Sequence, residues 1–357
     1  MKKFLLGIFA LALIAGGCYF GYTLFKSDGE EKVSNIIKSD LGFGKEEEKK
    51  EKEVEPEIKI FNGNDRPIAF MIDNNVNAQP QASINEAYCV YEIIVEGNET
   101  RLMALFKGKD CDSVGPIRSA RHYFLNYALE HDAIYAHLGQ SPQAEKDIKS
   151  LNIPDINGQI YDTGKARTNT SRYWRATHKK APHNAYTNIP SILSISKDKN
   201  FSLTSNKKSV LNYSKEEVVY SGDNAITCNS VTIPYASNHV VKYIYDAETK
   251  RYTRYSKGKK MTDEVSKTDI TTKNIIITFA KNYDMPDTED KGRQEVEVVG
   301  TLDGYYITNG KAIKIKCTKS SRSAQTVYKD LSGKEIEVND GNTFINIVPI
   351  KANVTFE

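Results

Sequence analysis

At 357 residues and a net charge of +3, the chain is long enough for two domains and too near neutral to require nucleic acid as a partner. Its apolar fraction, 39%, suffices for a substantial core, and no lysine–arginine run is interleaved with aromatics as a single-strand binder needs. The cysteines Cys18, Cys89, Cys111, Cys228 and Cys317 form no C-x-x-C pair, which argues against a zinc ribbon or a thioredoxin-type site.

Lys2 and Lys3 precede an apolar stretch from Phe4 to Phe25, close to the ~20 residues that span a hydrocarbon core. The lysines stay in the cytoplasm and send the rest outside. Ile14-Ala15-Gly16-Gly17-Cys18 looks like a bacterial lipobox, in which the signal is cut and Cys18 is lipidated. The apolar run continues through Tyr19–Phe25, so an uncleaved transmembrane helix is the equal alternative. Either way residues 1–26 are a signal or membrane anchor, and the protein is expected on the outer face of the cytoplasmic membrane. Residues 27–57 follow as a charged spacer. Lys45–Glu57 is dense in Glu and Lys and lacks the apolar content to offset its ordering entropy.

Residues 58–200 read as a layered N-terminal domain. The run Pro67–Ile72 predicts a buried strand closed by the turn formers Asp73-Asn74-Asn75. Cys89–Val95 and Arg101–Phe106, joined by Glu96-Gly97-Asn98-Glu99-Thr100, predict a hairpin. A two-residue loop at Asn98-Glu99 would set Cys89 opposite Gly108. That register weighs against a Cys89–Cys111 disulfide, although one could persist outside the cytoplasm. Ser119–Ala133 has helical spacing, Ile134–Leu138 reads as a strand, and Ser141 with Pro142 predicts a capped helix to Leu151.

From residue 201 to 357 short β-like runs dominate, at 218–220, 230–233, 240–245, 252–255, 274–279, 295–299, 305–308, 312–317, 326–328, 335–338 and 343–348. The expected class is α+β: an N-terminal α/β-type layered domain followed by a mainly antiparallel β C-terminal domain, behind the anchor.

The candidate chemistry lies in the first half. Gly115-Pro116-Ile117-Arg118-Ser119-Ala120-Arg121 precedes a helix that Ser119 could cap. Arg118 and Arg121, with Arg101 from a neighbouring strand, could fork onto a phosphate or carboxylate. Asp73, Glu92 and Glu96 are the acids that could hold a divalent metal or move protons; an Asx turn at Asp73 and a hairpin loop at Glu96 explain two of them without chemistry. His137 and Ser141, then Arg172, Trp174, Arg175, His183 and Asn184, offer the aromatic, basic and amide groups of a sugar- or peptide-binding cleft, or of a well-packed loop. The two histidines lack zinc-pair spacing, and Ser141 is outside any G-x-S-x-G elbow. The loop Tyr161–Asn188 is expected to close over the Arg118–Arg121 segment, and Tyr243, Tyr245, Tyr252 and Arg254 to present a separate binding face.

Arg66–Asn74 with Pro80-Gln81 resembles the opening of the YerB-like family of lipoproteins. Tyr91-Glu92, Val95-Glu96-Gly97, Thr100-Arg101, Gly115–Arg121, His137 with Ser141-Pro142, and Pro182-His183-Asn184 follow in that family's order. Tyr243, Tyr245-Asp246, Tyr252, Arg254, Gly310-Lys311-Ala312 and Gly341-Asn342-Thr343 are similar to its companion domain. Gln79 and Gln140 depart from the pattern, where a basic residue and a glycine are expected, and so do Cys317 and Phe344, where tryptophans are expected. The resemblance implies an envelope lipoprotein with a domain pair of no established activity. Thr100–Met103, Ile117–Arg121 and Ala136–Gly139 are also similar in order to LytR-CpsA-Psr phosphotransferases, without their Pro-Arg-Asp motif.

The expected function is a non-catalytic envelope protein that binds cell-wall polymer or a wall-synthesis protein. The alternative is an enzyme acting on a phosphorylated lipid-linked or wall substrate, which requires Arg101, Arg118 and Arg121 to converge.

Overall fold

Strand β1 (Ile68–Asp73) forms where the chain carries an unbroken apolar run, and all six of its residues are buried. Continuous apolar character of this kind marks a strand covered on both faces. The computed structural model describes residues 58–60, 63–286 and 291–357. The anchor over 1–26 with Cys18 and the spacer over 27–57 lie outside the described residues.

β2 (Cys89–Ile94) and β3 (Thr100–Phe106) make the expected hairpin, but its register pairs Cys89 with Leu105 rather than Gly108. The turn is longer than two residues: the Val95 N–H donates to the Glu99 carbonyl, and Gly97 and Asn98 take left-handed φ of 67° and 59°. Cys89, Cys111, Cys228 and Cys317 are all buried free thiols.

β1 runs antiparallel to β3 and parallel to β4 (Ile134–His137), and β5 (Asp155–Asn157) continues that edge. Three helices accompany this part: α1 (His122–Glu130), α2 (Pro142–Ser150) and α3 (Ile189–Asp198). Ser141 caps α2 as expected, its side chain accepting from the Ala144 N–H. Between α2 and α3 the chain forms a small hairpin, β6 (Tyr173–Arg175) with β7 (Ala185–Thr187).

The second half contributes an antiparallel sheet built on β8 (Ser230–Ala236), β9 (His239–Asp246) and β10 (Arg251–Ser256). It also contributes β11 (Asn274–Asp284), β12 (Gly300–Thr308), β13 (Lys311–Lys319), β14 (Val327–Asp330) and β15 (Thr343–Pro349). These five extend the first sheet, whose main path is β14-β13-β12-β11-β15-β2-β3-β1-β4-β5. β15 pairs parallel with β11 on one side and with β2 on the other, so main-chain hydrogen bonds join the two halves. The segment 218–220, read as a strand, is not one, and at 335–338 only Val338 enters a strand, the two-residue Val338–Asn339.

Of the face expected on β9 and β10, three of the four residues are instead core, and Tyr245 is partly buried against it. Burial alternates along β10, which turns Tyr252 and Arg254 inward with Tyr243 of β9, and all three are fully buried. Period-two alternation is right, but the covered face is the aromatic one.

Candidate functional site

The site is built from the C-terminal end of β1. Asp73 closes that strand and stands opposite Arg101 on β3. The segment 116–120 runs extended beside it. The Asp73 N–H donates to the Pro116 carbonyl and the Arg118 N–H to the Met71 carbonyl, each at 2.8 Å. On its other side the Arg118 carbonyl accepts from Leu138 N–H, and the Ala120 N–H donates to Gly139. With its main chain committed both ways, this segment cannot be helical. α1 therefore starts at His122 with Arg121 as N-cap and no side-chain cap, which corrects the expectation that Ser119 caps it. Ser119 contributes its carbonyl, which accepts from Arg101 Nη1 at 2.8 Å.

This path brings the three arginines together. Arg118 Nε lies 3.1 Å from Asp73 Oδ2. Arg121 Nε donates to Glu96 Oε1 at 2.5 Å, while Arg101 Nη2 lies 3.7 Å from Glu96 Oε2. One carboxylate thus serves two guanidinium groups. Their side chains are 9% (Arg101), 27% (Arg118) and 12% (Arg121) exposed, so Arg118 is the one a ligand can reach most easily. Burial, followed by the like charge of Arg121, brings Arg101 down to about 10; Glu96 opposes the shift and Arg118 adds to it. Burial alone would raise Glu96, but the Arg121 hydrogen bond and charge, with Arg101 behind, hold it below the usual carboxylate range. The corner carries surplus positive charge in a partly desolvated setting, the condition under which an anion is held.

His183 reaches the same corner from the β6–β7 loop, its Nδ1 2.8 Å from Asp73 Oδ2. The loop is fixed there by main-chain bonds from Val114 N–H to Thr187 and from Ile117 N–H to Ala185. Lys179 donates to the Ala78 and Pro80 carbonyls and to Glu264 Oε2, and His178 pairs with Glu264 Oε1. Gln81 is fully buried, with Nε2 donating to the Asp73 carbonyl and to Asn74. Lys179 and Glu264 were not singled out from the sequence, and Gln81 only as part of the family-like Pro80-Gln81 pair. Glu264 stands 85 positions from Lys179, and no local pattern signals such a pairing.

The other loop candidates do not join this corner. Arg172 pairs with Asp198, and Trp174 packs with Ala82, Ala176 and Tyr186. Arg175 binds Asp162 and the Asn184 side-chain oxygen, so Arg175 and Asn184 fasten the loop to itself. The loop covers the arginine segment only through its 176–187 portion. His137 is fully buried, Nδ1 against the Gly139 carbonyl and Nε2 against Asp155, and Ser141 is spent as the α2 cap.

The expectation that Glu92 holds a metal or moves protons is corrected. Glu92 is fully buried, with Arg254 Nη2 2.9 Å from Oε2 and with Thr100 and Asn74 donating to Oε1. Burial pushes its pKa up, but Arg254 and then His239 bring it below the ordinary value. Among the described residues no three His, Cys, Asp or Glu side chains are grouped to hold a metal ion.

Comparison with known proteins places these features in context. The family model described as "Protein of unknown function (DUF3048) N-terminal domain" matches residues 55–202, and its C-terminal counterpart matches residues 231–345. A curated relative from Bacillus subtilis (strain 168), "Putative lipoprotein YerB", is 30% identical over 295 residues, covering 80% of this chain and 81% of its own. The crystal structure of the YerB protein from Bacillus subtilis aligns with a TM-score of 0.70 at 29% identity, covering 82% of this chain and 94% of that one. Among the described residues no helix is long and apolar enough to cross a membrane.

Proposed function

The chain belongs to the DUF3048 family, and on that premise we propose that it is a membrane-anchored, extracytoplasmic envelope protein that captures an anionic group of cell-wall material or of a wall-synthesis partner. The anchor is the lipid on Cys18, a reading supported by the lipobox-like sequence and by the description of the Bacillus subtilis relative as a lipoprotein. The anion seat is the corner formed by Arg101, Arg118 and Arg121. The observation that carries this reading is the sharing of Glu96 by Arg101 and Arg121, beside an Arg118 that keeps the largest exposure of the three. The protein does no chemistry on what it binds.

Co-sedimentation of the full chain with Bacillus subtilis cell walls tests this. Retention should fall about tenfold or more in Arg118→Ala, as expected for loss of one charge-assisted contact, and likewise when phosphate-bearing polymers are stripped from the wall. Equal retention in all three cases would overturn the proposal.

A second reading, an enzyme for a phosphorylated lipid-linked substrate, draws on the Asp73–His183 contact, in which a carboxylate orients an imidazole beside the anion seat. Turnover of a polyprenyl pyrophosphate substrate that disappears in His183→Asn would favour it, and absence of turnover would dismiss it.

A further inference from the structure

Two hollows lie side by side on the chain that leads into α3, with volumes of about 720 and 310 Å³. Neither is lined by any residue of the arginine corner. Thr168, Thr170, Ser171 and Arg172 line both, so a strip of small polar side chains is their common wall. The larger volume falls within the range of about 300–1,000 Å³ typical of small-ligand clefts.

The lining specifies the ligand. Hydroxyl and amide groups dominate: Thr168, Asn169, Thr170 and Ser171 on one side, Ser191 and Ser194 of α3 on the other. Thr168 Oγ1 lies within 3.3 Å of Thr170 Oγ1 and 3.0 Å of Ser171 Oγ, a chain of hydroxyls in which each retains further donor or acceptor capacity. Both guanidinium groups at the rim are already neutralised. Arg167 forks onto Asp112 at 2.6 and 2.9 Å, and Arg172 pairs with Asp198 at 2.8 Å. The amides at the start of α3 are taken too: the Ile189 N–H donates to the Cys111 carbonyl and the Ser191 N–H to the Asn188 side chain. The larger hollow therefore holds no surplus charge for an anion, in contrast to the arginine corner, and the smaller one adds a single exposed cation, Lys165, to its wall. Arg167 lies 4.5 Å over the Trp174 ring and Arg172 5.8 Å over Tyr161, so each guanidinium is backed by an aromatic ring.

We infer that the paired hollows form a binding groove for an uncharged, linear oligosaccharide, with adjacent sugar rings seated on either side of the 168–172 strip. A polyhydroxylated ligand matches the density of hydroxyl partners, and the two hollows sharing one wall match a chain rather than a single ring. The site is distinct from the anion seat and does not depend on it.

The test is a titration of the full chain in detergent with the uncharged β-linked tetramer of N-acetylglucosamine, read by fluorescence. Trp174 is the only tryptophan and lies beneath Arg167 of the groove wall, so its emission responds to a ligand there, and the Ser194→Arg variant assigns the change to this groove. Saturable change is expected, with a midpoint that barely moves from low to about 0.5 M salt, because the ligand carries no charge to screen. Ser194→Arg fills the groove from an exposed helix position where arginine is a good helix former, and should weaken binding about tenfold or more. Arg118→Ala should bind the tetramer as the wild type does. Absence of saturable binding, an unchanged midpoint in Ser194→Arg, or displacement of the tetramer by inorganic phosphate would overturn the inference. Tetramer binding without wall retention would refute the anion-capture reading and leave the groove standing.

Discussion

Arg254→Met removes one partner of the ion pair that ties the two halves together, and its cost can be worked out from the contacts. Arg254 and Glu92 are both fully buried, on β10 and β2, with Nη2 2.9 Å from Oε2. The guanidinium also donates to the Tyr243 hydroxyl at 3.0 Å and lies over the Tyr243 and Phe344 rings, at 5.6 and 5.4 Å. Methionine retains the apolar packing but leaves the Glu92 carboxylate buried without its countercharge. Such a loss costs about 3–5 kcal/mol; Thr100 and Asn74 still donate to Oε1, so the lower end, about 3 kcal/mol, applies. At about 2 °C per kcal/mol for a unit of this size, the melting temperature falls by about 6 °C. In the wild type Glu92 titrates below its ordinary value. Its contribution is therefore fully present above the unfolded carboxyl pKa and lost as pH falls through the folded value. In the variant the strongest lowering influence is gone; burial then outweighs His239 and Thr100, and the shift reverses. The penalty is then full at neutral pH and shrinks as pH falls toward about 4.3, where the unfolded carboxyl protonates. Urea unfolding at several pH values, with the slope checked for constancy, measures this. Glu92→Gln combined with Arg254→Met should recover most of the loss. A deficit under about 1 kcal/mol at pH 7, or one independent of pH, would refute the reasoning.

Other outcomes follow from the same contacts. His131 is buried between the Tyr88 and Tyr91 hydroxyls and is pushed down to about 4, chiefly by burial. The unfolded state therefore binds the extra proton first, so stability falls between about pH 6.5 and 4; His131→Gln should flatten that part of the pH–stability curve. Gly304 would place a Cβ 2.2 Å from the Ile277 carbonyl oxygen, so Gly304→Ala should cost about 3 kcal/mol or more, measured by urea midpoint. Cys89, Cys111, Cys228 and Cys317 should resist iodoacetamide in the native protein and take four labels once denatured. Burial holds Cys111 up at about 11 and Cys228 and Cys317 at about 12. A mass two protons lighter before reduction would contradict the free thiols.

Local signals were legible where one residue type does one job. The apolar run of β1, the β2–β3 hairpin and the Ser141-Pro142 helix start each follow from nearest neighbours in the chain. The convergence of Arg101 with Arg118 and Arg121 was legible in the same way, since a strand and the segment beside it carry them. What failed depended on distant partners. Glu92 reads as a free carboxylate until Arg254, 162 positions later, is placed against it inside the core. The tyrosines of β9 and β10 alternate as an exposed stripe would; only the packing of that sheet turns them inward. The α1 start was misplaced because helical spacing at Ser119–Arg121 is overridden by main-chain bonds to Met71 and Gly139. Sequence spacing carries no trace of those bonds.

The most direct test of the anion seat is calorimetric titration of the full chain with inorganic pyrophosphate, alongside Arg118→Ala. Saturable binding is expected in the wild type, weaker as salt rises, and reduced about tenfold or more in the variant. The Arg118 side chain is partly exposed at the rim, so the variant should melt within about 2 °C of the wild type. No binding by the wild type, undiminished binding by the variant, or a large loss of melting temperature would contradict the assignment and make Arg118 a structural partner of Asp73.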